Sequence, residues 1–352
     1  MNIESTPVKV NIDIESLNLS REAFYNVCFI TENNQAPRTL EVKTLKDLLD
    51  NGYDRWSLAY NFCLGVFAQQ GIPLVYIRAK RANENYRQAF DADNNTGYYF
   101  ISIESKSPLV VKTFNEYLTS SASYKLLFFS SPSDADPSTK MVQYYQKALS
   151  SQDFVSPNTV ALTDYYLNKA FKTSYSVKGI NTATQGQLQQ ARLAYPESAW
   201  LGLCGNSFPS SVQWLYKYLA KVDIVKDKAI PDYTTTSSLV LKDQATVGSG
   251  MTTQGIPIHE QVSLDWVRWA LSRQVWNTLY TKEKINATQG GLDLIINDIK
   301  MVLDLAVKES MFSEYQITET KLDRSSNEIR VKFNAKLVHT ILEVEVSGSL
   351  RY

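Results

Sequence analysis

The sequence predicts a mixed α/β (α+β) fold: a mostly parallel α/β region through its N-terminal and middle parts, then a C-terminal unit of two helices and antiparallel strands. Three observations carry that expectation. Strand-like and helix-like runs alternate over residues 24–219, the rhythm of βαβ units and a parallel sheet. Two long helical patterns follow, over residues 262–280 and 291–308. Beyond them the apolar period drops from 3.6 to 2, which marks half-buried strands.

Taken in order, the chain opens with Val8, Val10, Ile12 and Ile14 alternating with Lys9, Asn11 and Asp13, behind Pro7 and ahead of the polar stretch SLNLSREA. Such a strand either pairs at home or completes the sheet of another molecule. Residues 24–31 (FYNVCFIT) form a strand by their β-branched and aromatic content. Thr44, with Asp47 three residues on, caps a short helix over 44–49. An aromatic-rich helix over 53–70 is ended by Gly71 and Pro73, and residues 74–79 return as a strand. The rhythm continues with strands over 98–103, 124–129, 160–162 and 199–204, and helices over 109–118, 140–149, 185–193 and 211–219. The Thr-, Ser- and Gly-rich tract 232–254 reads as an interdomain linker. The expected organisation is therefore a strand arm over 1–20, an α/β domain over 21–231, the linker, and a C-terminal domain over 255–352.

That last domain is the most sharply patterned. At 100° per residue, Leu264, Val267, Leu271, Val275 and Leu279 form an aliphatic stripe on the first long helix. Val262, Trp266, Trp269, Trp276 and Tyr280 form an aromatic stripe nearly opposite. A surface helix ordinarily has one such stripe, so two imply burial on two sides, one of them against another domain or subunit. Arg273 lies within the aromatic stripe and must either snorkel or stack on a ring. The second helix buries Leu292, Ile295, Ile296, Ile299, Val302, Leu303 and Ala306, and keeps Asn297, Lys300, Asp304 and Lys308 on a wet face. Ile329, Val331, Phe333, Ala335 and Leu337 then alternate with polar residues, as do Leu342, Val344 and Val346. The basic residues of the first of these strands and Glu343 and Glu345 of the second are placed to face each other across a ladder.

Composition bounds the chemistry. With 352 residues there is material for about two domains. Acidic and basic residues balance at 36 each, so the strongly basic footprint of a nucleic-acid binder is missing. Cys28, Cys63 and Cys204 are odd in number, scattered and in apolar surroundings, which suits buried thiols better than disulfides or zinc. The N-terminus lacks the blocks of a signal peptide, and no apolar run reaches the roughly 18 residues of a membrane helix. His259 and His339, the two histidines, fit no metal-binding spacing. Phosphate-cradling glycine loops and G-x-S-x-G are absent. Asp134 and Asp136 read as a polar turn, and Lys282 and Lys284 as cations at a helix C-terminus. No catalytic, cofactor-binding or metal-ligating residue is expected.

The segments GIPIHEQVSLDWVRWALSRQVW, GGLDLIINDIKMVLDLAV, EIRVKFNAKLV and ILEVEVSGSL, in this order, resemble the C-terminal part of contractile-tail sheath proteins. VKVNIDI, FYNVCFITEN and LVYIRAKR are similar to the N-terminal half of that family, whereas residues 82–219 carry no anchoring motif. The resemblance implies a non-enzymatic structural subunit without cofactor, stacking as hexameric rings into a helical sheath around an inner tail tube. Its other partners would be baseplate and tail terminator proteins, and its place a phage tail assembled in the host cytoplasm, with neither nucleic-acid binding nor membrane insertion. Terminal strands (1–20 and 341–352) would complete sheets in neighbouring subunits. The subunit-interface candidates are then Val8, Val10, Ile12, Ile14, Trp266, Trp269, Trp276, Leu342, Val344 and Val346. Lys300, Asp304 and Lys308 are the candidates for contact with the tube. The competing expectation is an α/β enzyme or ligand-binding protein with its site at the C-terminal ends of the parallel strands. A third, a non-contractile tube protein, is disfavoured by length and by the helical C-terminal half.

Overall fold

The computed structural model describes residues 24–55, 57–69, 71–92, 97–105, 107–120, 124–132, 159–164, 195–215, 217–219, 237–242, 244–247, 250–252, 254, 256–282, 284–323, 325 and 328–339. The early strand 8–14, the late strand 342–346 and the helices expected over 140–149 and 185–193 lie outside these residues.

Central strands of a parallel sheet are covered on both faces and therefore carry near-continuous apolar runs. VCFITE (β1, Val27–Glu32), VYIRAK (β3, Val75–Lys80) and FISI (β4, Phe100–Ile103) are such runs. With β5 (Leu126–Pro132), β6 (Thr159–Asp164) and β7 (Ser237–Lys242) they make a parallel array in the order β3-β1-β4-β5-β6-β7. Antiparallel β2 (Thr39–Val42) and β8 (Gln244–Val247) close its two edges. One face carries Phe29, Ile77, Phe100 and Phe128; the other carries Cys28, Ile30, Ile101 and Phe129. Three helices lie on the first face: α1 (Leu45–Asp50), α2 (Leu58–Phe67) and α5 (Pro196–Cys204). On the second face lie α3 (Tyr86–Asp91) and α4 (Pro108–Ser120), through Phe90, Val111, Phe114 and Leu118. Alternating strands and helices have wound doubly, as the rhythm predicts.

Local chemistry fixes several ends. The Asp47 carboxylate accepts the Thr44 N–H at 2.8 Å, the expected capping pair of α1. Helices α2 and α5 approach closely because Gly65 and Gly202 lack side chains. A Cβ on Gly202 would lie 2.4 Å from the Val66 carbonyl oxygen, so the crossing requires glycine there.

Three expectations for the middle of the chain are corrected. Residues 199–204, expected as a strand, belong to α5. Pro196 at its first turn and Glu197 beside it are helix-start signals that outweigh the short apolar run AWLGLC. Residues 211–219, expected as a helix, form none among the described residues: two bends, a turn and a bridge residue at Tyr218 are separated by irregular backbone. In the tract expected as a linker, residues 237–242 and 244–247 are instead strands β7 and β8, and β7 pairs with β6. The run Leu239–Val240–Leu241 supplies the strand propensity within that otherwise polar tract.

The C-terminal helices are α6 (Ile258–Thr281) and α7 (Gln289–Lys308), close to their expected bounds. The first half of α6 is sunk in the same core as the sheet. Val262, Val267 and Leu271 join Phe100, Phe128 and Trp200 in that cluster. Helix α7 packs on α6 through Val275 and Ile295, with Leu279 and Ile299 beside them. Thr288 caps α7 by accepting the Gly291 N–H.

After α7 the chain forms an antiparallel ribbon of β9 (Phe312–Asp323) and β10 (Glu328–Leu337). The expected pairing of the basic residues of β10 with Glu343 and Glu345 lies outside the described residues; among those described, these basic residues meet β9. Lys332 Nζ lies 2.7 Å from the Glu319 carboxylate, and Lys336 is in register with Glu314. The register slips twice, leaving Ser313 and Thr318 as the extra residues. Their hydroxyls donate to the Lys336 and Lys332 carbonyls, each at 3.3 Å. These are β-bulges, each stabilised by a short polar side chain.

Candidate interaction surface

The aromatic stripe of α6 divides into three environments. Trp266 is only 8 % exposed and meets the Phe208 ring edge-on at 5.7 Å, so it belongs to the chain's own core. Trp269 is half-buried against Phe24, with ring centroids 5.4 Å apart. Arg273 lays its guanidinium 4.9 Å from the Trp269 centroid, so the stacking alternative holds. Trp276 and Tyr280 are 40 % and 79 % exposed. The second apolar face is therefore confined to the last turns of the helix.

Beside it, α7 shows Met301 and Leu305 to solvent. Lys300, Asp304 and Lys308 are exposed too, on the wet face expected of them, and Asp304 accepts the Tyr315 hydroxyl at 2.6 Å. The ribbon adds a third feature. Each of its strands has one strand partner among the described residues, so each presents an outer edge that no other described strand pairs with. Val8, Val10, Ile12, Ile14, Leu342, Val344 and Val346 lie outside the described residues.

What holds α6 in place is polar as well as apolar. Asp265, buried, accepts the Tyr99 hydroxyl at 2.7 Å and the Gln261 amide at 3.0 Å, with Arg268 at 3.6 Å. Burial pushes its carboxyl above the usual range, against the pull of Tyr99 and Arg268. The Tyr99 bond ties the helix to the residue just ahead of β4, at the middle of the sheet, and the sequence offered no sign of it.

At the C-terminal ends of the parallel strands, where doubly wound folds place ligands, the polar groups are engaged with one another. The Glu104 carboxylate accepts the Thr31 hydroxyl and the Glu32 N–H, both at 2.6 Å. Tyr195 donates to the Glu104 carbonyl at 2.8 Å. Arg38 grips Glu84 with two bonds of 2.6 and 2.9 Å, and that contact holds the Glu84 carboxyl below its ordinary range. Cys28, Cys63 and Cys204 are buried thiols that form no disulfide, and burial pushes the Cys204 thiol up to about 12. Among the described residues no group of three or more His, Cys, Asp or Glu is placed to hold a metal ion. None of the described helices is long and apolar enough to cross a membrane.

The two histidines, which no spacing connected, come together. His339 Nδ1 lies 2.8 Å from the Glu260 carboxylate, and His259 is buried next to Glu260 on the first turn of α6. A cleft of about 200 Å³ opens beside them, lined in part by Ser210, Ser263, Ser310 and Met311.

No protein-family model and no curated protein matches the sequence. Solved structures do match the fold. The helical sheath protein of the anti-feeding prophage in the contracted state superposes with a TM-score of 0.61 at 10% identity, over 98% of this chain and 99% of that one. The sheath complex of an extracellular contractile injection system (PVC), also contracted, gives 0.61 at 12% identity over 99% and 98%. The sheath tail protein of Listeria innocua gives 0.53 at 6% identity over 91% and 96%. The chain has, from end to end, the fold of contractile-sheath proteins.

Proposed function

We propose that this chain is the structural subunit of a contractile sheath, stacking as hexameric rings around an inner tail tube and contracting to drive that tube through an envelope. The observation that carries the reading is the reach of the fold likeness, which takes in 98% or more of both chains for two sheath proteins. An α/β enzyme that merely shared a doubly wound sheet would match over β1–β7 and fall away at α6, α7 and the ribbon.

The surfaces described above acquire roles in this reading. The exposed end of α6, with Trp276 and Tyr280, is a contact between subunits, and Trp269 supports it from below. The free edges of the ribbon accept strands 8–14 and 342–346 of neighbouring subunits by β-augmentation. Arms 1–20 and 341–352 thus link bodies that rotate past one another. Lys300, Asp304 and Lys308 turn toward the tube, while baseplate and terminator proteins cap the ends. A head-to-tail interface that does not close on itself generates such a helical polymer. Contraction draws on the difference in packing between two arrangements, with no nucleotide consumed. Electron microscopy of the purified chain tests the proposal: rings or tubes are expected, and a protein that stays monomeric at high concentration overturns it.

A further inference from the structure

The end of β10 and the first turn of α6 are joined by a contact with two unlike sides. The Glu260 side chain is 8 % exposed and the His339 side chain 73 %, yet the ring nitrogen and the carboxylate meet at 2.8 Å. We propose that Glu260 and His339 form a pH-operated clasp, which fastens the end of β10 to α6 and tightens when the imidazole becomes charged.

The geometry supplies a fixed jaw and a movable one. Glu260 is held in a helix turn with little access to water, so it gains most from a cationic partner. His339 stands on the solvent side, where it exchanges protons freely. The cleft beside them is walled by a rigid corner. Ser210 and Ser310 both sit in the left-handed region, with φ of 65° and 58°, and the Ser210 hydroxyl donates to the Glu309 carbonyl at 2.7 Å. Left-handed non-glycine residues persist only where the surroundings over-determine them, and here both line one cleft.

The charged groups next to the residues that line the cleft are His259 on α6, Lys336 on β10 and Glu309 at the end of α7, with Glu314 of β9 opposite Lys336; Asp265 and Arg268, further along α6, are engaged with each other. Lys336 and Glu314 are exposed and face each other in register. Burial holds the His259 imidazole below its usual range, against the attraction of Glu260. The switching group is His339, the exposed ring in direct contact with the carboxylate, of the residue type whose charge answers to pH in this range. If the chain is a sheath subunit, the clasp also sets by pH how the C-terminal arm leaves the body. That use rests on the sheath reading; the clasp itself does not.

A double-mutant cycle with Glu260→Gln and His339→Gln, read by denaturant unfolding of the full chain at pH 5.5 and 8.0, tests it. At pH 5.5 the intact pair should favour the folded state by about two- to five-fold beyond the sum of the single changes, and at pH 8.0 by close to none. His339→Arg, permanently charged, should hold the low-pH value at both. A coupling equal at the two pH values, one missing at pH 5.5, or one whose pH dependence vanishes in His259→Gln overturns the clasp. Sedimentation of the same samples separates the two proposals. A chain that never assembles while the cycle behaves as expected defeats the sheath reading alone; assembly with a flat cycle defeats the clasp alone.

Discussion

The two halves of α6 carry the same two-stripe pattern and meet opposite environments. The first half is buried on nearly every side, although it includes His259, Glu260, Gln261, Asp265, Arg268 and Ser272. The second half leaves Arg273, Trp276, Asn277 and Tyr280 in water, although two of those are large aromatics. Polarity alone would have assigned them the other way round. Buried polar groups persist where they find partners, and several here do: Tyr99 and Gln261 for Asp265, and His339 for Glu260; the Ser272 hydroxyl has none among the described residues. The second half has run past the edge of the described core, so its aromatic rings Trp276 and Tyr280 stay exposed.

The largest expected effect comes from the aliphatic stripe in the buried half. Leu271, 2 % exposed in the main cluster, should cost about 2–5 kcal/mol when cut to alanine, because transfer and cavity terms add. Denaturant unfolding of the subunit measures it. A cost below 1 kcal/mol would mean that the first half is less tightly held than its burial implies.

Next comes the polar anchor. Tyr99→Phe removes one bond to a buried carboxylate and should cost about 1.5–3 kcal/mol, read in the same way. The pH dependence fixes the sign. The folded-state pKa of Asp265 lies above its unfolded value of 3.8, so the folded protein holds the proton more tightly. Its contribution to stability is therefore greatest in acid and declines as pH rises from about 3.8 through the raised value. Tyr99 opposes that rise, so Tyr99→Phe should carry the decline to higher pH, and Asp265→Asn should abolish it. A profile unchanged in both variants would remove Asp265 as the titrating group.

How much of this was legible beforehand varied with the physics of each segment. Strands β1, β3, β4, β5 and β6 follow from apolar runs, and α6 and α7 from their period, because burial on a fixed face leaves a direct trace in sequence. The stacked Arg273 was legible too, since an arginine inside an aromatic stripe has few options. Strand β9 was not. Its bulges at Ser313 and Thr318 reset the alternation twice, and Phe312, Tyr315 and Ile317 no longer read as one strand face. Helix α5 was misread because AWLGLC fits a strand or a helix equally, and the deciding signals lie just upstream at Pro196 and Glu197. Of the surface candidates, the pattern named Trp266 and Trp276 alike; only tertiary packing separates the ring under Phe208 from the ring in solvent. The His259–Glu260–His339 group joins positions remote in sequence, and no spacing announces such a meeting.

A smaller effect tests the buried half from the acid side. The pKa of His259 is lowered by burial, so the unfolded chain binds its proton more readily than the folded one. Stability should fall as pH drops below about 6.5, the ordinary imidazole value, towards the lowered one. His259→Gln should flatten that part of the profile. A profile that falls as steeply in His259→Gln as in the unaltered chain would contradict this sign.

The smallest effect on the subunit, and the most telling for the exposed half, is expected from Trp276→Ala. Its ring is 40 % exposed, and the Arg273–Trp269 stack does not depend on it. Subunit unfolding should shift by no more than about 0.5 kcal/mol, as for surface positions in general. Assembly should respond quite differently. Aromatic anchors at interfaces lose 2 kcal/mol or more on truncation, which is roughly thirty-fold in the concentration needed to polymerise. Trp269→Ala should fall between the two, because it strips a partner from Phe24 within the subunit and also the support beneath Arg273. The comparison is decided by the ratio of the two readouts. If Trp276→Ala lowers subunit stability as much as Leu271→Ala while leaving assembly unchanged, the outer end of α6 is core that has been wrongly drawn as surface. If it leaves both unchanged, the subunit contact lies elsewhere, and the free edges of the β9–β10 ribbon become the place to cut next.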